Sequence, residues 1–308
     1  MNWKQTLFWS FSAAAIFYYF LLFGVFVFVG QEEMQLFIPE WWYIREFLFQ
    51  PGGFCAVAGQ WIIQYYRQPM SAVVFHTVLL VGCGFMVYRI LRCFSDKTYL
   101  LFLSLLPVLY LVKMSIHGEY LVDGTVGVVL MLLALSLSLK VRRAGSIAGY
   151  GIASTLFLCG LTGFLSVCYA FLYTLLALLR YKTSRQRLAA SACLIPALFI
   201  YLFSGWLGIP VPLSDGWMPE AYLEIQRLPH YYMYRVWTFF TLSIVGVALF
   251  ARFVPVIGEK SKWMDRVALV VCLITVLVSI RFCLPEPWHA QRMMLDELSF
   301  LARERQWD

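Results

Sequence analysis

Charged residues are scarce in this sequence. They make up 13% of the 308 residues, while hydrophobic residues make up 61%; a soluble domain has roughly a quarter charged and half apolar residues. The chain carries no charge between Thr6 and Val29, and roughly 20 apolar residues are enough for a helix to cross a bilayer. The composition therefore excludes a soluble globular domain and predicts a polytopic membrane protein.

The motifs of several enzyme and transporter classes are also absent. The chain has no GxxxxGK[ST] phosphate loop, no GxSxG elbow, no HExxH and no CxxCH, which excludes ATP-driven transport by this chain alone. Its eight cysteines form no CxxC pair and no Cys/His set with zinc-ligand spacing. Only Cys55 and Cys283 are placed to form a disulfide on the outer side. These residues predict no resident cofactor.

The net charge of +7 is distributed in a way that indicates topology. The basic residues lie in short clusters between apolar runs and form no continuous face, so no nucleic-acid partner is predicted. One set of alternate loops, together with Lys4, holds 15 of the 24 basic residues and three of the 17 acids; the other set holds nine bases and 14 acids. Positively charged short loops stay cytoplasmic. The amino terminus is therefore predicted inside and the carboxyl terminus outside.

The apolar runs predict an all-α transmembrane helical bundle with about nine spans. Residues 146–179 allow two interpretations, a tight pair that turns between Gly160 and Gly163 or a single bent span. The pair is favoured because it keeps the later basic loops inside. Small residues at Gly145, Gly149, Gly160 and Gly163 indicate either close helix approach or turns. The predicted spans are 6–29, 71–88, 99–116, 121–139, 146–162, 164–179, 188–207, 235–251 and 267–283.

The first outer loop, residues 30–70, predicts two helices that lie in the interface. Pro39 suits the first turn of a short helix, which ends before Pro51. The following stretch, Phe54 to Arg67, is long enough for about four turns. Both segments are rich in aromatic residues and too short or too polar to cross a bilayer, as in helices that lie on a membrane surface.

Two further segments lie outside the predicted spans. The second outer loop, residues 208–234, contains four prolines and so cannot form one helix. After the membrane domain of residues 1–283, residues 284–308 carry apolar side chains at helical spacing opposite charged ones. This amphipathic helix is predicted to dock on the membrane domain or on a protein partner, or to begin a longer soluble region.

Ionisable groups near the predicted outer ends are the candidate site residues, because a charge at membrane depth costs about 2.5–3.5 kcal/mol and faces a cavity or a partner. Glu32 and Glu33 follow the first span, but adjacent side chains diverge, so at most one can serve as a base. Lys113 and His117, near Glu119 and Asp123, share a face if their helix continues. The alternative is that Glu32 and Glu33 mark the topology at a solvated span end, and that the Lys113 group caps a short hairpin with the Lys113 ammonium at the interface. His76 is interpreted as a hydrogen-bonded core residue in preference to a proton relay.

An acidic pair after the first span, two aromatic interfacial helices and basic residues on the same side together resemble the GT-C-type glycosyltransferases. The resemblance covers residues 1 to about 235, although the acids are Glu-Glu and the long soluble outer domain is missing. It implies a polyprenyl-phosphate sugar donor in the membrane lipid, with a divalent metal as an optional cofactor. It further implies that the base is among Glu32, Glu33 and Asp215 and that the donor phosphate is held by Arg45, Lys113, His117 and Arg227.

The chain also resembles uncharacterised bacterial multi-pass proteins whose membrane part precedes helical repeats. The Phe-Gln-Pro-Gly-Gly-Phe run at 49–54 and the tail Leu298–Asp308 carry this resemblance, which implies a bacterial inner membrane. Two other functions stay open. One is a non-catalytic scaffold that binds a protein partner through residues 284–308. The other is a secondary transporter, which is disfavoured because the chain does not divide into two related halves.

Overall fold

The computed structural model describes residues 3–34, 37–116, 120–163, 165–203, 231–258, 269–270, 274–277 and 280–281. Every regular element in these ranges is helical, as the sequence predicted. A short 3₁₀ helix covers Gln64–Arg67. The α-helices are α1 (Trp3–Phe23), α2 (Val25–Met34), α3 (Trp41–Leu48), α4 (Gly53–Ile63), α5 (Pro69–Leu91), α6 (Leu100–Leu103), α7 (Leu105–Ser115), α8 (Val122–Ser138), α9 (Ala144–Thr162), α10 (Leu165–Arg180), α11 (Ser184–Ser191), α12 (Leu194–Leu202) and α13 (Tyr231–Gly258).

Helices α1 and α2 form one nearly continuous rod. Gly24 lies between them, but its N–H donates to Phe20 O at 2.8 Å and the Phe28 N–H donates to Gly24 O at 3.0 Å. The hydrogen-bond pattern of an α-helix therefore continues through the junction. The rod extends beyond the predicted end at residue 29, so Gln31 and Glu32 are helical residues.

The segment 146–179 folds as two helices, α9 and α10, as the favoured interpretation predicted. Gly163 lies between them with φ of 60°, a left-handed conformation that favours glycine. Gly151 in the middle of α9 approaches Tyr173 in the middle of α10, since a Cβ on Gly151 would lie 3.1 Å from that ring. A turn this short between helices that meet at their midpoints makes them an antiparallel pair.

Most of the glycines singled out by their spacing are not points of close helix approach. A Cβ would meet no atom within 4 Å at Gly145, Gly149 and Gly160. None of these three glycines is therefore needed to make room for a neighbouring side chain, while the turn interpretation holds for Gly163. Spacing alone does not reveal which face of a helix meets a neighbour: the carbonyl of Gly160 accepts a hydrogen bond from another segment, while the space that a side chain would occupy there is open.

Helices α3 and α4 occupy the loop in which two helices were predicted. Gly52 lies between them with φ of 84°, and its N–H donates to Gly160 O at 3.1 Å. Helix α4 packs against α8 and α9 as well as α3, and it buries Cys55 and Ile63. The sequence pattern predicted helices in the interface and did not predict this contact with the core of the bundle.

Helices α5, α8 and α10 form the centre of the bundle. They bury 11, 11 and 10 residues respectively, whereas α1 buries four and α12 two. Apolar side chains on the outer helices are widely exposed; Phe11 is 77% exposed and Ile195 is 71% exposed. Large apolar surfaces of this kind fit a lipid environment and would be a liability in water.

Within the described residues, three helices are long and apolar enough to span a membrane: α1, α5 and α9. Four shorter apolar helical stretches cover residues 100–115, 122–138, 165–180 and 239–252. All seven coincide with predicted spans. The last predicted span, the outer loop 208–234 and the tail 284–308 lie wholly or mostly outside the described residues.

The bundle has two chemically different ends. Tyr181 Oη donates to Val141 O at 2.7 Å, and Cys93 lies within electrostatic reach of Tyr181, so residues 89–97, 140–143 and 180–187 share one end. We call it the Arg-rich end. The other end holds residues 28–34, 64–68 and 120–125, and we call it the Asp123 end.

Candidate functional site

Helix α4 crosses α8 in close contact at Gly59. A Cβ on Gly59 would lie 2.9 Å from Asp123 Cα and 3.0 Å from Asp123 N, and closer still to Asp123 Cβ. One turn further along α8, a Cβ on Gly127 would lie 3.6 Å from Cys55 Sγ, so the two helices run antiparallel. The crossing covers Asp123, which is only 4% exposed.

Asp123 lies in the first turn of α8. Its Oδ1 accepts a hydrogen bond from the Gly124 N–H at 3.0 Å, and the positive end of the helix dipole favours a carboxylate at this position. Among the described residues, no lysine or arginine forms an ion pair with Asp123. A buried ionisable group without a cation partner in an apolar bundle marks a functional site by default.

Tyr120 connects α2 to α8. Gln31 Nε2 donates to Tyr120 O at 2.9 Å, and Thr125 Oγ1 donates to the Tyr120 hydroxyl oxygen at 3.2 Å. Burial raises the pKa of Tyr120, so the hydroxyl keeps its proton at neutral pH. The other polar side-chain atom of Gln31, Oε1, is buried and has no hydrogen-bond partner among the residues that the structure describes.

Tyr66 and His76 form a second buried pair next to Asp123. The Tyr66 hydroxyl lies 2.7 Å from His76 Nε2, and the Phe28 ring stacks on the imidazole with centroids 4.1 Å apart. Burial, and more weakly the Asp123 carboxylate, raise the pKa of Tyr66, so the phenol stays protonated and can donate to Nε2. His76 Nδ1 is buried without a hydrogen-bond partner in the described part of the chain. His76 is therefore a hydrogen-bonded core residue, as predicted, but the hydrogen bond involves only one of its two ring nitrogens.

These side chains make one buried group, which we call the Asp123 cluster. A buried polar atom without a partner costs about 1–3 kcal/mol, and this group contains two such atoms, His76 Nδ1 and Gln31 Oε1. A water molecule or a polar group of a ligand would supply a hydrogen-bond partner for each of these two atoms. Within the described residues, no three His, Cys, Asp or Glu side chains are grouped to hold a metal ion. The members of the cluster are Gln31, Tyr66, His76, Tyr120, Asp123 and Thr125.

The acids singled out in the sequence are only partly described. Glu32 lies on α2, directly after Gln31, and is partly exposed. Since Gln31 bonds to Tyr120, Glu32 belongs to the Asp123 end and has access to solvent there. Glu33 is also a residue of α2, but its side chain lies outside the described part of the chain. Asp215 lies outside it altogether.

The basic residues assigned to phosphate binding are not brought together by the described contacts. Arg45 is exposed on α3, where its guanidinium carbon lies 5.7 Å from the centroid of the Phe49 ring. Lys113 is partly exposed in the last turn of α7. That helix ends at Ser115, so it does not extend to residue 117 as the shared-face argument required. His117 and Arg227 lie outside the described residues.

Most members of the Asp123 cluster were not found from the sequence. Asp123 was noted in a group with Lys113, His117 and Glu119, and His76 was noted as a core residue, whereas Gln31, Tyr66 and Tyr120 were not singled out. Their partners are 10 to 89 positions away along the chain. The one local signal was a polar glutamine immediately before the acidic pair. It could have been read as part of the same site.

Comparison with known proteins identifies a family and no activity. A family model described as a family of unknown function, DUF6057, matches residues 1–308. No curated protein and no solved structure matches the chain. The match covers the whole sequence, and the chain therefore belongs to the DUF6057 family.

Proposed function

We propose that this protein is a multi-pass protein of the bacterial inner membrane with about nine spans, an amino terminus inside and a carboxyl terminus outside. Three helices of sufficient length and four shorter apolar stretches support this. The segregation of seven basic residues at 140–143 and 180–187 also supports it, because positively charged short loops stay in the cytoplasm. In this topology the Asp123 end faces outward.

The Asp123 end of this topology is proposed to transfer a sugar from a polyprenyl phosphate to an acceptor hydroxyl. The observation that carries the proposal is the hydrogen bond from Gln31 to Tyr120. It brings the partly exposed Glu32 and the buried Asp123 to one end of the bundle, beside the α3–α4 pair. Aromatic residues of that pair, such as Trp41 at 67% exposed and Trp61 at 47%, offer a surface for the carrier lipid.

The proposed reaction assigns roles by accessibility. Glu32 is the candidate base: its carboxylate takes the proton of the acceptor hydroxyl as that oxygen attacks the anomeric carbon. The bond from this carbon to the donor phosphate breaks, and polyprenyl phosphate leaves with the electron pair. Lys113 and Arg45 are candidates to stabilise its negative charge. Asp123 is covered by α4 and is assigned to positioning. No resident cofactor is required, and a divalent cation would enter with the donor phosphate.

The test compares Glu32→Gln with a matched control on the same outer segment, Glu46→Gln. Glu46 is exposed on α3 and has no role in the proposed reaction. Purified full-length protein in nanodiscs is mixed with radiolabelled undecaprenyl-phosphate glucose, mannose or N-acetylglucosamine and a crude acceptor fraction from native membranes. We expect transfer to fall by about 100-fold or more in Glu32→Gln and to be unchanged in Glu46→Gln.

Glu33→Gln and Asp215→Asn complete the series of candidate bases. Because adjacent residues of a helix point in different directions, the replacement of only one of Glu32 and Glu33 should abolish transfer. A wild-type rate in Glu32→Gln would remove the role of Glu32. A wild-type rate in all three variants, or no transfer from any of the three donors by the wild-type protein, would remove the proposed reaction. Metal dependence is read in the same assay by adding EDTA and then restoring Mg²⁺ or Mn²⁺.

A further inference from the structure

Two basic loops at the Arg-rich end are joined into one surface. Tyr181 Oη donates to Val141 O at 2.7 Å, and Gln186 Nε2 donates to Arg142 O at 2.7 Å. These bonds link the connection between α8 and α9 to the connection between α10 and α11. Since both acceptors are backbone carbonyls, the relative position of the two loops does not depend on any charged side chain.

The joined loops carry a high density of unbalanced positive charge. There is no Asp or Glu anywhere between residues 124 and 214. Among the described residues of the Arg-rich end, the acid is Asp96, and Arg92 already pairs with it at 2.9 Å. The seven cations of the two loops are Lys140, Arg142, Arg143, Arg180, Lys182, Arg185 and Arg187.

An open groove of about 530 Å³ lies beside these loops, between the end of α10 and helix α11. Its exposed lining is mostly apolar, and two serines and two arginines are among the residues that form it. Leu188 is 76% exposed and Leu178 is 44% exposed, so the apolar part is open to the surroundings. The lining residues are Leu178, Ser184, Arg185, Arg187, Leu188 and Ser191.

Three arginines lie at or near the groove. Arg185 and Arg187 are exposed lining residues, and Arg187 Nε donates to Tyr181 O at 2.8 Å, which leaves its two terminal nitrogens outside this bond. Arg180 Nη1, outside the lining, is buried and has no hydrogen-bond partner among the described residues. The first residue of α11, Ser184, also lines the groove, and a helix amino terminus adds partial positive charge.

We propose that this groove binds an anionic phospholipid, with the headgroup phosphate on Arg185 and Arg187 and an acyl chain along Leu178 and Leu188. Guanidinium groups bind phosphate in a bidentate manner, and basic pockets between helices at the cytoplasmic surface suit anionic headgroups. A nucleic acid or an acidic protein would match the charge, but neither would match the exposed leucines. The apolar surface continues along α12, where Ile195 is 71% exposed.

The experiment measures lipid binding to the purified full-length protein in detergent by native mass spectrometry. The probes are palmitoyl-oleoyl phosphatidylglycerol, phosphatidylcholine with the same acyl chains, and glycerol 1-phosphate, which has the phosphate without the chains. Arg185→Gln/Arg187→Gln removes the two cations among the lining residues. Arg89→Gln/Arg92→Gln removes two exposed cations from the same end of the bundle, outside the groove, and serves as the matched control.

We expect wild type and control to retain phosphatidylglycerol, and the Arg185/Arg187 variant to bind it about 30-fold more weakly, at about 1 kcal/mol for each cation near an anionic lipid. Leu188→Ser should also weaken phosphatidylglycerol binding. Arg185→Gln alone keeps the test valid if the double variant is unstable, because it leaves the bond from Arg187 to Tyr181 intact.

Three results would overturn the proposal. The first is equal affinity for phosphatidylglycerol and phosphatidylcholine, and the second is equal loss of binding in the control variant. The third is binding of glycerol 1-phosphate as tight as that of the phospholipid, which would assign the groove to a soluble phosphate. The outcome is independent of sugar transfer, since the groove and Glu32 lie at opposite ends of the bundle.

Discussion

Replacing Gly59 by alanine tests the packing that covers Asp123. The added methyl would lie 2.9 Å from Asp123 Cα and 3.0 Å from Asp123 N, whereas carbon atoms in good contact are about 3.5–4.0 Å apart. Both neighbours are backbone atoms, so no side-chain rotation relieves the overlap, and α4 must move away from α8 by about 1 Å. Overpacking of this kind typically costs about 1–3 kcal/mol.

The matched control is Gly149→Ala. Gly149 is also a helical residue, but a Cβ there would meet nothing within 4 Å, so alanine should be neutral or stabilise by about 0.4–1 kcal/mol. The free energy of unfolding is measured for both variants by titrating SDS into mixed micelles. We expect Gly59→Ala to be less stable than Gly149→Ala by at least about 1.5 kcal/mol.

A local measurement distinguishes movement of α4 from general destabilisation. Cys55 lies on α4 and is only 1% exposed. In a protein that retains Cys55 as its sole cysteine, maleimide labelling should be slow and should accelerate when Gly59→Ala is added. Equal stability of the two glycine variants, with unchanged labelling of Cys55, would refute the close crossing of α4 and α8.

The remaining predictions concern the Tyr66–His76 pair and the topology. Tyr66→Phe leaves His76 Nε2 without its partner and should lower the free energy of unfolding by about 1–3 kcal/mol. The control is Tyr65→Phe, which changes an exposed ring and should alter the free energy of unfolding little. Equal effects of the two substitutions would contradict a structural role for the Tyr66–His76 pair. Reporter fusions after Lys140 and after Asp308 should report the cytoplasm and the outside respectively. Detection of both in one compartment would invert part of the proposed topology.

The helical architecture was predictable because its signal is local in the chain. A long run of apolar residues indicates that this segment is buried or faces lipid, and each described span coincides with such a run. The pair around Gly163 was also predictable, since the spacing of basic loops required an additional crossing. The boundaries were less accurate, as in the first rod, because the polar Gln31 and Glu32 continue the helix after the apolar run ends.

The candidate site was predicted much less well. Glu32 was singled out because charge stands out against an apolar background, and its role stays a prediction. The Asp123 cluster depends instead on contacts between residues far apart in the chain, such as Gln31 with Tyr120 and Tyr66 with His76. A glutamine or tyrosine at the end of an apolar run looks the same whether it faces water or a buried partner. No local pattern distinguishes the two.

An all-helical protein with long apolar segments and strongly unequal charge on alternate loops follows from the residues in order along the chain. Hydropathy and charge are properties of single residues summed along the chain, so they can be evaluated without knowledge of any contact. That α4 packs on α8, that Gly59 admits this approach, and that Asp123 is thereby buried became known only from the three-dimensional arrangement of the helices. Those outcomes depend on which helix faces meet, and a glycine reveals its role only when the atoms opposite it are known.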